Sequence, residues 1–294
     1  MSSIDDINQL QPSTSSSFQA RDIPDQIQRT VRQRCGFGCV ICGLPLYEYE
    51  HLEGWAKVHR HAAEEITLLC DQHHREKESG LMPLAAVIEA NKNPRNKRIG
   101  ISTPYNLHFK GSEYIVELGS NIFSSSTLNH MTAISVDNTS LISFSLIDDH
   151  LLLNVSAFDE DNNLILTISN NRLSYSISPW DITFIGTRLI VRDGSGKFFI
   201  DITFLPQNKI KFNRGRILYN KVDIRINSQY IALANDGRIL SKCLAKDCQI
   251  ALAVGISSEY TGAGFLWNNV PRHNTDRSAS LKEAKRNFKK IQNI

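Results

Sequence analysis

Much that would make this chain easy to assign is missing from it. No apolar run approaches the roughly 18 residues that a membrane-spanning helix needs, so no transmembrane segment and no membrane partner are expected. The stretch Met1 to Ala20 is rich in Ser and Gln and lacks the basic start and apolar middle of a secretory signal. A cytoplasmic location is therefore the expectation. No Gly-x-Gly-x-x-Gly follows a strand, no Gly-Lys-Ser/Thr phosphate loop occurs, and there is no Gly-x-Ser-x-Gly elbow. Dinucleotide binding, P-loop chemistry and the serine-hydrolase elbow are set aside on that ground. Charge of one sign is lacking too. The net charge is only +3, which neither demands nor excludes a nucleic-acid partner.

The chain does have 294 residues, room for one large or two modest domains. Residues 1–20 are read as a disordered N-terminus, because Gln, Ser, Thr and Pro offer little to bury. A helix is expected from Pro24 through Ile27, Val31 and Arg34, with Asp22 as a nearby cap and a basic face of Arg29, Arg32 and Arg34. Leu46–His51 reads as a strand with Tyr47 and Tyr49 on one face, residues 54–65 as a loop, and Ile66–Leu69 as a short strand. His74 to Ser79 is helix-compatible, and Pro83 opens a helix over Leu84–Ala90. Asn91–Arg98 reads as a basic hinge.

After the hinge the composition changes. Short apolar runs such as Leu151–Phe158, Leu164–Ser169, Arg188–Arg192, Phe198–Phe204, Ile217–Ile226 and Tyr230–Ala234 alternate with Asn-, Asp- and Gly-rich breakers. That spacing predicts a β-rich sandwich, barrel or solenoid, and no clean repeat selects among them. At the end, Ser280-x-x-Glu283 resembles a capping box, and Leu281, Ala284, Phe288 and Ile291 share a helical face. The expected organisation is a domain over 21–98, a β-rich domain over 99–266 and a basic tail helix over 267–294. The overall class is α+β.

Chemistry concentrates in three short pieces: Cys39-Val-Ile-Cys42, Glu50-His51, and Cys70-Asp-Gln-His73-His74. Closely spaced cysteines in a cytosolic chain favour a metal over disulfides. Cys39, Cys42, Cys70 and His73 make a Cys3His set suited to structural Zn2+, pinning both ends of the 27-residue stretch 43–69. His74 fits the same spacing and is the alternative fourth ligand. Cys35 is spare and expected in a core. Cys243 and Cys248 are expected as free thiols.

His51, as a neutral imidazole, suits a general base near pH 7. Glu50 and His74 suit a second, divalent cation, and Glu78 lies four residues after His74 on the same helical face. Arg75 and Lys77 on that helix are candidate phosphate contacts. His59 and His61 in the loop read as exposed histidines.

Together the runs Arg34–Gly43, Tyr49–His51 and Thr67–His74, with Lys77, resemble the HNH endonucleases. The resemblance covers residues 30 to 80. It implies a ββα-metal fold of the zinc-knuckle subset, His51 as general base, Glu50 and His74 as catalytic metal ligands, and Cys39, Cys42, Cys70 and His73 as zinc ligands. The implied activity is metal-dependent phosphodiester hydrolysis, with DNA preferred to RNA as the partner and Mg2+, Mn2+ or Zn2+ as the catalytic ion. The chain departs from the family at Glu65, where Asn is usual. A carboxylate there can orient the site or serve as an extra ligand, and it adds charge. The rival reading is a non-catalytic zinc-knuckle nucleic-acid binder. In either case the β-rich part is a candidate surface for a protein partner or an oligomer. The basic hinge and tail helix fit a phosphate-anchoring face and, equally, a docked helix with a solvated side.

Overall fold

From Tyr105 to Trp267 the chain is largely strand. His150–Phe158 shows why: Leu151, Leu153, Val155 and Ala157 are buried while the residues between them are not. A period of two puts one set of side chains on one face of a pleated strand. The computed structural model describes residues 22–148, 150–255, 262–273 and 275–292. The N-terminal segment expected to be disordered lies outside the described residues.

Two large sheets result. One runs as an antiparallel meander from His130–Val136 through Thr139–Ile147, His150–Phe158 and Leu164–Ser169 to Arg172–Tyr175. Its His130–Val136 edge is extended in parallel by Ile250–Val254 and then Ala263–Trp267. The other is a meander from Asp181–Ile185 to Ile239–Leu240, widened by Tyr114–Leu118 pairing in parallel with residues 209–212. Their inward residues, among them Phe144, Leu153, Phe204, Phe212 and Ile224, form one continuous core.

Short turns set the register. Asp137-Asn138, Asn170-Asn171 and Asn220-Lys221 all have positive φ, the two-residue hairpin geometry that follows the strand twist. The last of these corrects an expectation. Ile217–Ile226 is not one strand but the hairpin of Lys209–Tyr219 and Val222–Ile226. Asn and Lys there read as polar strand positions until the left-handed turn is seen.

The N-terminal part is small and mixed. Helix α1 (Asp25–Cys35) is followed by strand β1 (Glu48–His51), helix α2 (Trp55–Val58), strand β2 (Ile66–Leu69) and helix α3 (Asp71–Glu78). Helices α4 (Leu84–Lys92) and α5 (Arg95–Ile99) complete it. The stretch 54–65 is therefore not a plain loop, and the basic hinge is mostly helical. Strands β1 and β2 pair antiparallel, with Glu50 opposite Thr67 and His51 opposite Ile66. Val31, Val40, Ile66, Leu68, Leu69 and Val87 form a separate small core that includes Cys35, Cys39 and Cys70.

The basic face expected on α1 is turned to structural use. Arg32 is buried and grips Asp181 through Nε at 2.8 Å and Nη2 at 2.7 Å, and donates to the Tyr49 hydroxyl at 2.6 Å. Burial opposes its charge, but the hydrogen bonds and charge interactions with Asp181 and Tyr49 together outweigh that and hold its pKa above the ordinary value. Arg29 stacks over Trp180 at 4.7 Å. Arg34 donates to the Ala63 carbonyl at 2.6 Å and to Asn91 at 3.2 Å, tying down the approach to β2. Tyr175 donates to the Phe37 carbonyl at 2.6 Å across the same seam.

Helix α6 (Arg277–Gln292) closes the described chain. Asp276, not Ser280, caps it, accepting from the Ala279 N–H at 3.0 Å. Ser280 lies one turn inside, so the expected capping box is not formed. Ala284 and Phe288 are buried, with the Phe288 ring 4.7 Å from that of Tyr230. The approach is close: a side chain at Gly237 would meet the Ser280 carbonyl at 2.9 Å.

Candidate metal centre and cleft

Cys39 and Cys42 sit on a tight turn between α1 and β1. The Gly43 N–H donates to the Cys39 carbonyl at 2.7 Å, and Val40 N–H donates to Leu68 O at 2.9 Å, joining the turn to β2. Asn96 of α5, fully buried, donates to the carbonyls of Gly36 at 3.0 Å and Gly43 at 3.2 Å, clasping both ends of the turn. Glycine is required at this approach. A Cβ at Gly43 would lie 2.2 Å from Asn96 Oδ1, and the residue has φ of +70° or more, at +76°. Cys70 precedes α3, and His73 lies in its first turn.

The four side chains converge. Cys39 Sγ is 3.4 Å from His73 Nδ1, Cys42 Sγ is 3.7 Å from Cys70 Sγ, and Cys70 Sγ is 3.2 Å from His73 Nδ1. All four ligand atoms lie within 4.8 Å of one another. A tetrahedron with Zn–S near 2.3 Å and Zn–N near 2.0 Å has edges of about 3.5–3.8 Å, so the set fits a metal such as zinc. Its electrostatics also fit. The hydrogen bond from Cys42 holds the Cys39 thiol down to about 4, while that same contact pushes Cys42 up and burial pushes Cys70 up. Three crowded sulfurs cannot all ionise on their own, and a dication removes the conflict.

The choice between His73 and His74 is decided by helix geometry. Neighbours on a helix point about 100° apart, so with His73 in the cluster, His74 turns to β1. There His74 Nε2 is 3.0 Å from Glu50 Oε2 and 3.7 Å from Glu78 Oε1, and its Nδ1 is 3.5 Å from Glu48 Oε2.

A cleft of about 370 Å³ opens at this point, lined by Glu48, Glu50, His51, Trp55, His74 and Glu78 among others. Glu50 and His51 both reach it, although adjacent strand residues normally diverge, because β1 ends at His51. His51 is largely buried, and burial, then the neighbouring His61, lowers its pKa. Its Nε2 is 3.3 Å from His61 Nδ1. His61 stacks on Trp55 at 4.6 Å and 19°, so it braces two residues that line the cleft, whereas His59 is exposed.

Not every expected residue faces the cleft in the way anticipated. Lys77 points inward: its Nζ sits on Glu50 Oε1 and donates to the His51 carbonyl at 3.0 Å. Arg75 is exposed on α3. Glu65 is engaged by Arg60, whose Nε donates to Oε2 at 3.0 Å, and that hydrogen bond lowers the Glu65 pKa. Its backbone carbonyl accepts from Leu52 N–H at 2.8 Å. The sequence reading missed Glu48 and Trp55. Glu48 was within reach, since it precedes Glu50 by two and shares its strand face. Trp55 depends on α2 folding back, which spacing does not reveal.

Compared with known proteins, the chain matches no family model, and neither a curated protein nor a solved structure is similar to it.

Proposed function

We propose that the N-terminal part is an HNH-type metal-dependent endonuclease module, in which β1, β2 and α3 serve as its ββα element and the Cys3His cluster as its structural zinc site. The observation that carries this is the convergence of His51, Glu50 and His74 on one cleft, with His73 of the same helix turned to the four-ligand cluster.

In this reading Glu50 and His74, whose Oε2 and Nε2 lie 3.0 Å apart, would hold the divalent cation, with Glu78 as a further oxygen donor. The donor set, one nitrogen and carboxylate oxygens, suits Mg2+, Mn2+ or Zn2+. When bound, such an ion supplies positive charge for the phosphate oxygens. His51 accepts the proton of the attacking water. Its lowered pKa keeps the imidazole neutral near pH 7, and His61 and Trp55 fix its ring. Arg75, exposed on α3, contacts the backbone of the substrate, DNA ahead of RNA. Lys77, whose Nζ sits on Glu50 Oε1, holds that carboxylate in position and leaves Oε2 facing His74.

The alternative, a non-catalytic nucleic-acid-binding module, is favoured by two contacts: Lys77 on Glu50, and Arg60 on Glu65. Plasmid cleavage with Mg2+, Mn2+ and Zn2+ separates the two. Wild type is expected to nick or linearise plasmid with at least one ion. His51→Ala is expected to keep its zinc and fold and to lose cleavage by about 10²-fold or more. Full cleavage by that variant overturns the assignment of the base. DNA retention without cutting in any ion supports the binder.

A further inference from the structure

Helix α6 carries an isolated positive face. Trp267 to Ile294 holds seven Lys and Arg against two acids, a surplus of +5, so the rest of the chain carries a net −2. Lys282, Lys285, Arg286, Lys289 and Lys290 are all exposed. Their surroundings differ from those of basic residues on the sheets. On the strands Arg188, Arg214, Arg216 and Arg225 each pair with an aspartate, and Arg277 at the start of α6 reaches Asp223 as well. Among the described residues none of these five exposed cations, out of the six on α6, forms an ion pair. The rows 282-286-290 and 285-289 rise about 6 Å per step, making a ladder of point charges. Beside it runs a groove of about 390 Å³ lined by Arg225, Arg277, Ser278, Leu281, Lys282 and Lys285.

We infer that this face is a nucleic-acid-anchoring surface, separate from the cleft, that grips the phosphate backbone without reading sequence. Charge complementarity carries the choice of partner. A lipid surface fits less well. The apolar side of α6, Ala284 and Phe288, is buried on the sheet, and among the described side chains of the helix only Leu281 offers a large apolar group, partly exposed, to insert into headgroups. The inference deepens the nuclease reading, since it gives the β-rich half a task in holding the substrate, but its binding test does not require cleavage.

The test is fluorescence anisotropy with a labelled duplex DNA across a salt series, without added divalent ion, in the His51→Ala background so that nothing is cut. A second protein adds Lys282, Lys285, Arg286, Lys289 and Lys290 all changed to Gln, all outward-facing, with circular dichroism to verify the fold. Each phosphate contact contributes about −0.9 to the slope of log K against log salt. The quintuple variant is expected to lose about 3 to 4.5 of that slope and to bind at least about tenfold more weakly at moderate salt. An unchanged slope, with affinity within about twofold, overturns the inference. So does equal loss of binding to phosphatidylserine vesicles with no change on DNA, which assigns the face to membranes. The quintuple substitution in an otherwise native chain separates this from the nuclease reading. If cleavage is absent in wild type but DNA binding still depends on α6, the nuclease reading fails and the anchoring surface stands. If binding ignores α6 while wild type cuts, the reverse holds.

Discussion

The two halves of the molecule are held together by different means. The β-rich half has a long continuous core in which large side chains from two sheets interlock. The N-terminal part has a small core of its own, Val31, Val40, Ile66, Leu68, Leu69 and Val87, with three cysteines among or beside them, while its Phe37 is buried in the large core instead. A core that small stabilises a fold weakly, so a metal held by the Cys3His cluster would carry a share of the folding energy that sheet packing carries elsewhere. The contrast also divides the chemistry. Convergent titratable groups collect where packing is thin and short elements end. On the sheets, acids such as Asp201 and Asp223 are instead neutralised by arginines.

The largest expected effect breaks the weaker half alone. Cys70→Ser removes one of four ligands. Structural zinc contributes about 10–16 kcal/mol of apparent binding energy in small zinc modules, so most of the local stability should go with it. Elemental analysis should fall from one bound zinc per chain to well below one. Hydrogen exchange should accelerate across residues 30–99 while the sheets stay protected. Uniform protection after metal loss would mean that the two halves are not held by different means.

A smaller effect tests how tightly the halves are coupled. Asp181→Ala leaves the Arg32 guanidinium buried without its carboxylate, a change that costs about 3–5 kcal/mol. Chemical denaturation should show it, and the transition should split if the seam is what makes the halves unfold together. A loss under about 1 kcal/mol would mean that Tyr49 and solvent already satisfy Arg32.

The smallest effect belongs to the sheets. Burial raises the Asp201 pKa, but hydrogen bonds from Arg188, Asn213 and Arg214 and the nearby charges outweigh it, so the folded value lies below the ordinary one. The unfolded chain then binds the extra proton first. This contribution is present above the unfolded value of about 3.9 and is lost as pH falls through the lower folded value. Acid unfolding of wild type should therefore steepen below about pH 4, and Asp201→Asn should flatten that dependence. An identical acid limb in the variant would remove Asp201 from the account.

The three cysteines of the cluster, with a histidine at 73 or 74 as the fourth donor, were legible from sequence because such spacings bring donors together locally, over one turn of chain. The alternation in His150–Phe158 was legible for the same reason. Glu65 was legible as a departure but not as to its effect, since its pairing with Arg60 depends on how the chain turns through the 3-10 helix Ala63–Glu65. Asn96 looked like one residue of a polar hinge, and nothing nearby in sequence signals that it clasps Gly36 and Gly43 more than fifty residues away.

The sequence by itself determined the local chemistry: where a metal can be gripped, which runs become strands, and which helix is basic, all set by spacings within a few residues. Only the tertiary structure decided the rest. It chose His73 over His74, folded Trp55 and His61 against His51, and set Arg29 and Arg32 of α1 on a seam while leaving Arg286 and the lysines of α6 in solvent. Those outcomes depend on which distant segments pack together, and packing is a property of the whole chain.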